Sequence, residues 1–527
     1  MELLSPAGNV EKLYYAYAYG ADAAYIGLKR FSLRVKADNF YDDEYKRVNE
    51  LKNQFPKKKL HCALNISFHN ADIKSLESNI DYFKKYPIDA FIVQDIGIVP
   101  LLQKNFPNAA LHLSTQASCV NSEAVKIYKS MGFSRIVLGR EASLKEIREI
   151  KDAVPDMELE AFCHGAMCIA YSGRCLMSAY LTGRSAQAGA CSHTCRWDFD
   201  ILKDPKALAE SGTLALREHK RPDEYFPVYE GENFTAVLSS KDIKMIEHLK
   251  DMKDAGLDSI KIEGRMKSVY YVAIVTRAYR KALDALEGKI SEEEAKPFID
   301  DLENVSHRES GTGFYYSRSE ADKTVSGATD SRYILAAEVL DELSENEEEK
   351  IFESAKTFLS KKKAELEAMH PKAREIRQKD QMLHPEKYPE VVKKRHGWTM
   401  HKILPLNMIK NEDLIEFISP DIVCSRPANG TQEEREWILV NPENGTERTW
   451  FCDGHDCLIY TKEKLVKGTL IRLEDPEYNK RFWKIGFKNE KKNRNNLHIV
   501  SIIFYIFEKR NLHLEGLQTR LHRRNRH

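Results

Sequence analysis

Glu2-Leu-Leu-Ser-Pro-Ala-Gly-Asn-Val10-Glu-Lys-Leu-Tyr-Tyr-Ala-Tyr-Ala-Tyr19-Gly-Ala-Asp-Ala-Ala24-Tyr-Ile26 contains one complete unit of the rhythm that decides the fold. The apolar pair Leu3–Leu4 reads as a short strand and Ser-Pro-Ala-Gly as a turn. Val10–Tyr19 reads as an amphipathic helix, and Gly20 sits where a left-handed helix C-cap is expected. Ala24–Ile26 then starts the next strand. Outward from this unit the pattern recurs, with strands expected at His61–Ile66, Ala90–Val93, Ala110–Leu113, Arg135–Leu138, Leu159–Phe162 and Ser259–Ile262. Helical patterns such as Ile73–Lys84, Ser122–Met131, Leu144–Asp152 and Ile243–Ala255 lie between them, and Gly132 and Gly256 repeat the C-cap signal. Eight strand–helix units predict an α/β chain folded as a (β/α)8 TIM-like barrel, with an open doubly wound sheet as the alternative.

Beyond the barrel the texture changes. Tyr333–Leu340 and strands within Asp413–Glu474 predict a small β-barrel domain, interrupted by a charged helical insertion rich in Glu, Lys and Ala. The expected boundaries are 1–331 for the barrel, with a cysteine-rich insertion at 163–233, and 332–342 plus 403–486 for the β domain. The helical insertion is expected at 343–402, and a basic, poorly ordered tail at 487–527. From Lys488 to His527 ten Lys/Arg stand against three Asp/Glu, although the whole chain carries a net charge of only +1. That tail suits either a polyanion contact or a solvated end.

With 42% hydrophobic and 31% charged residues in 527, the composition is that of a soluble globular protein with ample core. The first residues lack the basic and apolar regions of a secretory signal, and no run reaches the roughly 18–20 apolar residues of a membrane helix. A cytoplasmic protein without membrane contact is therefore expected. Ten cysteines in such a compartment argue against disulfides.

Five of those cysteines fall between Cys163 and Cys195, directly after the seventh strand. Cys168, Cys175, Cys191 and Cys195 form a Cys-x6-Cys-x15-Cys-x3-Cys array. Dense thiols need a reason, since exposed ones oxidise. The spacing leaves an iron–sulfur centre, zinc or redox thiols open, because structural zinc favours two short Cys-x2–4-Cys knuckles and only Cys191/Cys195 is that close. Cys452-Asp-Gly-His455-Asp-Cys457 reads as a hairpin loop rather than a second knuckle.

Polar residues recur where strands end: Ser5, Asn65, Gln94-Asp95, Ser114-Thr115-Gln116, Arg140-Glu141, Cys163-His164 and Glu263-Gly-Arg265. In a barrel this is the face that carries active sites. Glu160, His164, Lys261 and Glu263 are the candidate catalytic residues, and Asn65, Gln116, Arg174 and Arg265 the candidate substrate-binding ones. His164 is weighed against a hydrogen-bonded structural histidine, and Lys261 and Glu263 against an internal ion pair. No P-loop, G-x-G-x-x-G, H-E-x-x-H or G-x-S-x-G signature is read.

Glu160-Ala-Phe-Cys-His-Gly-Ala-Met-Cys168, Gly173-Arg-Cys175-Leu-Met-Ser178, Ser239-Ser-Lys-Asp242, Lys261-Ile-Glu-Gly-Arg-Met-Lys267 and Ser306-His-Arg with Gly313-Phe-Tyr resemble the collagenase-like peptidase family U-32. The opening Met1–Asn9 and Gly20–Gly27 match as well, so the resemblance spans about 320 residues. Within the family the cysteine stretch most resembles the prephenate-dependent tRNA hydroxylases, which make 5-hydroxyuridine at the wobble position. Other members hydroxylate aromatic rings without O2 and hold a 4Fe–4S cluster on four cysteines of comparable spacing. The resemblance therefore implies a 4Fe–4S cluster on Cys168, Cys175, Cys191 and Cys195, prephenate as co-substrate, tRNA as partner and an electron donor. Arg174, Lys261 and Arg265 would hold carboxylates. The family's peptidase label, cysteine dependent with a catalytic cysteine beside His164 or His193 or else metal dependent, is the rival, and a structural-zinc RNA-binding protein a second one. The charged insertion and the tail depart from the compact family pattern.

Overall fold

The computed structural model describes residues 1–475, apart from 29–30, 33–39, 41–42, 169, 197–198, 203–214, 219–224, 228–229, 232–233, 236–239, 318–330, 384–389, 430–433 and 453. The expected tail at 487–527 lies outside the described residues.

Eight parallel strands close on themselves: β1 (Glu2–Pro6), β2 (Ala23–Ile26), β3 (Lys59–Leu64), β4 (Ala90–Val93), β5 (Ala110–Leu113), β6 (Arg135–Val137), β7 (Glu158–Ala166) and β8 (Ser259–Ile262). β8 pairs with both β7 and β1, which completes the (β/α)8 barrel. Strands β2, β4 and β8 are buried along their whole length, as parallel strands covered by helices must be. The first helix, α1 (Val10–Ala18), starts where the Asn9 side chain accepts the Lys12 N–H at 2.9 Å. Gly20, Gly132 and Gly256 all adopt positive φ (107°, 93° and 91°), the left-handed termini expected from their places after helices.

One strand breaks the simple pattern. β7 runs on to Ala166, and its end pairs antiparallel with a short strand at Asp242–Lys244. Against β8 its register shifts: Lys261 faces Phe162, but Ile262 faces His164. Cys163 is thus an extra residue, a bulge that reverses which side of the wall the next side chain takes.

The small β-barrel domain takes the form of a six-stranded half-barrel sheet. In chain order its strands are β9 (Tyr333–Glu342), β10 (Thr399–Pro405), β11 (Ile415–Ile418), β12 (Trp437–Val440), β13 (Cys457–Thr461) and β14 (Leu470–Glu474). They lie in the order β11-β14-β9-β10-β13-β12 around a core including Ile403, Trp437, Ile459 and Ile471. Between β9 and β10 stand α3 (Glu345–Ala368) and α4 (Pro371–Leu383). Phe352 and Ala355 of α3 are buried, and Phe352 packs in a cluster with Met400, Ile438 and Tyr460, whereas α4 buries nothing.

A buried polar joint ties sheet to barrel. Arg277, on the long helix α2 (Val269–Leu286), donates to the Ser419 and Ile422 carbonyls at 2.7 and 2.8 Å and to Asp301 at 2.6 Å. Arg472 on β14 donates to Asp301 at 2.8 Å, to Glu416 at 2.8 Å and to the Tyr270 hydroxyl at 2.7 Å. Among the described residues, no helix is long and apolar enough to cross a membrane.

Candidate active site

Alternation along β8 sends Ser259, Lys261 and Glu263 to one side and Ile260 and Ile262 to the other. Lys261 and Glu263 thereby face a small cavity at the C-terminal mouth of the barrel. Tyr25, Asn65, Ser114, Gln116, Arg140, Phe162 and Arg265 share its lining. Five of the candidate residues chosen from sequence, Asn65, Gln116, Lys261, Glu263 and Arg265, meet there. Arg140 joins them through its place just beyond β6. It was legible only as one polar residue in a strand-end loop.

The cavity is cationic by construction. The Lys261 Nζ lies 4.5 Å from the Tyr25 ring centre, and the Arg140 guanidinium 3.8 Å from that of Phe162. Such faces stabilise a partly desolvated cation. Arg140 also approaches Glu263 at 3.6 Å, and Arg265 donates to Ser32 Oγ at 3.0 Å. Three cations, Lys261, Arg140 and Arg265, line the cavity with one carboxylate, Glu263, while a second, Glu160, lies buried against Lys261. An anionic small molecule suits such a site.

Glu160 takes a different place from the one expected. It is fully buried beneath the cavity, between Lys261 Nζ at 2.9 Å and Arg135 Nη1 at 3.1 Å. Burial pushes its carboxyl up, but Lys261 and Arg135 outweigh this and hold it at about 2. A carboxylate so fixed does not take up protons near neutrality. It positions Lys261. The internal ion pair anticipated between Lys261 and Glu263 is instead made by Lys261 with Glu160.

His164 is also placed elsewhere. The bulge at Cys163 turns it out of the barrel, where Nδ1 lies 3.3 Å from the Tyr279 hydroxyl of α2 and its ring packs against Tyr271. Burial lowers its pKa to about 3, so it is a neutral packing residue rather than a cavity acid or base. Cys163 beside it donates to the Lys261 carbonyl, and burial pushes its thiol well above the ordinary range. A buried neutral thiol is a poor nucleophile. Arg174 is exposed on the cysteine excursion and does not line the cavity.

That excursion is fastened to the rim. Ser172 N–H donates to Glu141 at 2.7 Å, its hydroxyl accepts from Arg140 N–H at 3.2 Å, and its carbonyl accepts from Ser118 Oγ. Gln187 donates to the Gly173 carbonyl and accepts from Ser67 N–H, both at 3.2 Å. Gly173 has φ +72°, and a Cβ there would come within 1.9 Å of the Gln116 carbonyl oxygen, so only glycine fits. The short helix Met177–Thr182 follows, with Ser178 and Thr182 bonding back to Ser192 at 2.9 and 2.8 Å. Cys191 accepts the His193 N–H at 3.4 Å.

No disulfide joins any of the ten cysteines. Cys168 is exposed, and Cys175, Cys191 and Cys195 are half-buried. Four soft thiols on one anchored segment are a donor set that suits iron–sulfur or zinc chemistry. Among the described residues no three His, Cys, Asp or Glu side chains are gathered closely enough to hold a metal ion, so binding requires these thiols to draw together.

The sequence pattern of Peptidase family U32 matches residues 8–325. The chain is 37% identical over 350 residues to tRNA hydroxylation protein P of Escherichia coli (strain K12), covering 61% of this chain and 76% of that protein. It is 40% identical over 318 residues to tRNA hydroxylation protein P1 of Bacillus subtilis (strain 168), covering 60% and 70%. It is also 30% identical over 343 residues to a collagenase of Porphyromonas gingivalis (strain ATCC BAA-308 / W83), covering 62% and 77%.

Proposed function

The chain belongs to peptidase family U32, and from that premise we propose that it hydroxylates tRNA at the mouth of its barrel. The finer reading is conversion of wobble uridine to 5-hydroxyuridine with prephenate as co-substrate. The similarity to the two tRNA hydroxylation proteins supports the substrate class. The observation that carries the site is the convergence of Lys261, Arg140 and Arg265 on one cavity directly beneath the cysteine excursion.

Replacing C5–H by C5–OH is a two-electron oxidation of the base, so the reading requires an oxygen source, the part assigned to prephenate, and an acceptor for two electrons. Lys261 and Arg265 hold the carboxylates of prephenate, while Glu263 orients the Arg140 fork. Asn65, Ser114 and Gln116 supply hydrogen bonds to its remaining oxygens. Cys168, Cys175, Cys191 and Cys195 would hold a 4Fe–4S cluster, which supplies one-electron chemistry when bound.

The test is nucleoside analysis by mass spectrometry of tRNA from a strain lacking the gene. Loss of 5-hydroxyuridine and its derivatives, restored by the gene, is expected. An unchanged nucleoside profile, with loss of cleavage of a collagen-like peptide, would replace this reading with the peptidase one.

A further inference from the structure

Between Ala161 and Trp197 the chain carries Arg174, Arg184 and Arg196 and not one Asp or Glu. With 80 acidic residues in 527, a stretch of that length would on average hold five or six. The same stretch displays large side chains that the core leaves out: Tyr180 is 88% exposed, Leu176 70% and Tyr171 55%. Leu176 and Tyr180 sit one turn apart, with Tyr180 N–H bonded to the Leu176 carbonyl at 2.9 Å, so they share a face. Tyr171 and Arg174 close a turn through a 2.9 Å backbone bond. Ser172, between them, is bonded to Arg140, Glu141 and Ser118 on the cavity rim.

Aromatic rings in solvent, interleaved with arginine and free of carboxylates, are the chemistry of single-stranded nucleic-acid binding. Each base offers a face to a ring, and each phosphate a partner to a guanidinium. A duplex hides its base faces and cannot use such a surface. Resting on the tRNA reading above, the geometry points to the excursion as a stacking platform for unpaired nucleotides beside the target base. Tyr171, Leu176 and Tyr180 receive the bases and Arg174 a phosphate. The target base is then held through its unpaired neighbours in sequence.

The experiment compares binding of a labelled RNA hairpin carrying an anticodon-type loop with binding of a blunt duplex of equal length. The proteins are full-length wild type, Tyr171→Ala, Tyr180→Ala, the two phenylalanine variants and Arg174→Gln. Each alanine is expected to weaken loop binding roughly 5- to 150-fold and leave duplex binding and its salt dependence unchanged. Phenylalanine should restore it, since stacking does not need the hydroxyl. Arg174→Gln should lower the slope of log K against log salt by about one. Alanine variants that bind the loop as wild type does would overturn the proposal. So would variants that only change self-association in ultracentrifugation, which would make the patch a contact between copies. Wild-type protein that binds neither RNA would contradict the tRNA reading itself and remove the platform with it.

Discussion

Lys261 owes its position to charges that solvent never sees. Glu160 and Arg135 lie beneath it, and Arg135 continues to Glu2 at 2.5 Å and to the exposed Glu158 at 2.8 Å, so alternating charge runs from beneath Lys261 to the surface. Removing one buried charge leaves its neighbours buried without compensation. Glu160→Ala should cost roughly 3–5 kcal/mol in chemical denaturation, and a loss under about 1 kcal/mol would contradict this account. The same residues set the acid limit. Burial lowers His61 to about 4 and His164 to about 3. Glu2 and Glu160 are pushed up by burial, but Arg135, joined at Glu160 by Lys261, brings both to about 2. All four values are depressed by folding, so their stabilisation is complete above the unfolded values and drains as pH falls. The histidines start to cost stability below 6.5 and the carboxylates below 4.5. Thermal midpoints should therefore fall in two stages on acidification, and a midpoint flat from pH 6.5 to pH 4.5 would contradict the histidine assignment.

At the scale of elements, the eight barrel strands were legible because each is a short apolar run followed by a helix with a glycine stop. Lys261 and Glu263 were placed correctly on one side of β8 by simple alternation. His164 was not, because alternation along β7 fails at Cys163, and no residue there announces an inserted position. Arg140 was hidden by abundance, since every strand-end loop is polar and only the closed barrel shows which side chains turn inward. Arg174 lies outside the cavity because proximity to Cys175 in sequence says nothing of which side of the excursion it occupies. The excursion's seat depends on Gly173. Gly173→Ala should free the segment, seen as faster proteolysis between residues 163 and 239, and unaltered digestion would show that the rim contacts do not hold it. For the thiols, anaerobically purified protein should contain about four irons and four sulfides per chain, and Cys191→Ala should lose them. One zinc without sulfide would revive the structural-zinc reading.

Barrel and half-barrel sheet behave as one body through the Arg277–Asp301–Arg472–Glu416 joint, all four of whose side chains are buried. Arg472→Met leaves Asp301 and Glu416 short of a cation and should cost roughly 3–5 kcal/mol. Calorimetry should then resolve two transitions, where one is expected for the wild type. A single transition at the wild-type temperature would mean the joint does not couple the two. The proposed tRNA hydroxylation is assigned to the cationic cavity at the barrel mouth. Its most direct measurement is the 5-hydroxyuridine content of tRNA from a strain lacking the gene and expressing Lys261→Met or Arg265→Met protein at wild-type abundance. The account predicts that the nucleoside is lost with either variant and restored by the wild type. Full restoration by both variants would contradict it.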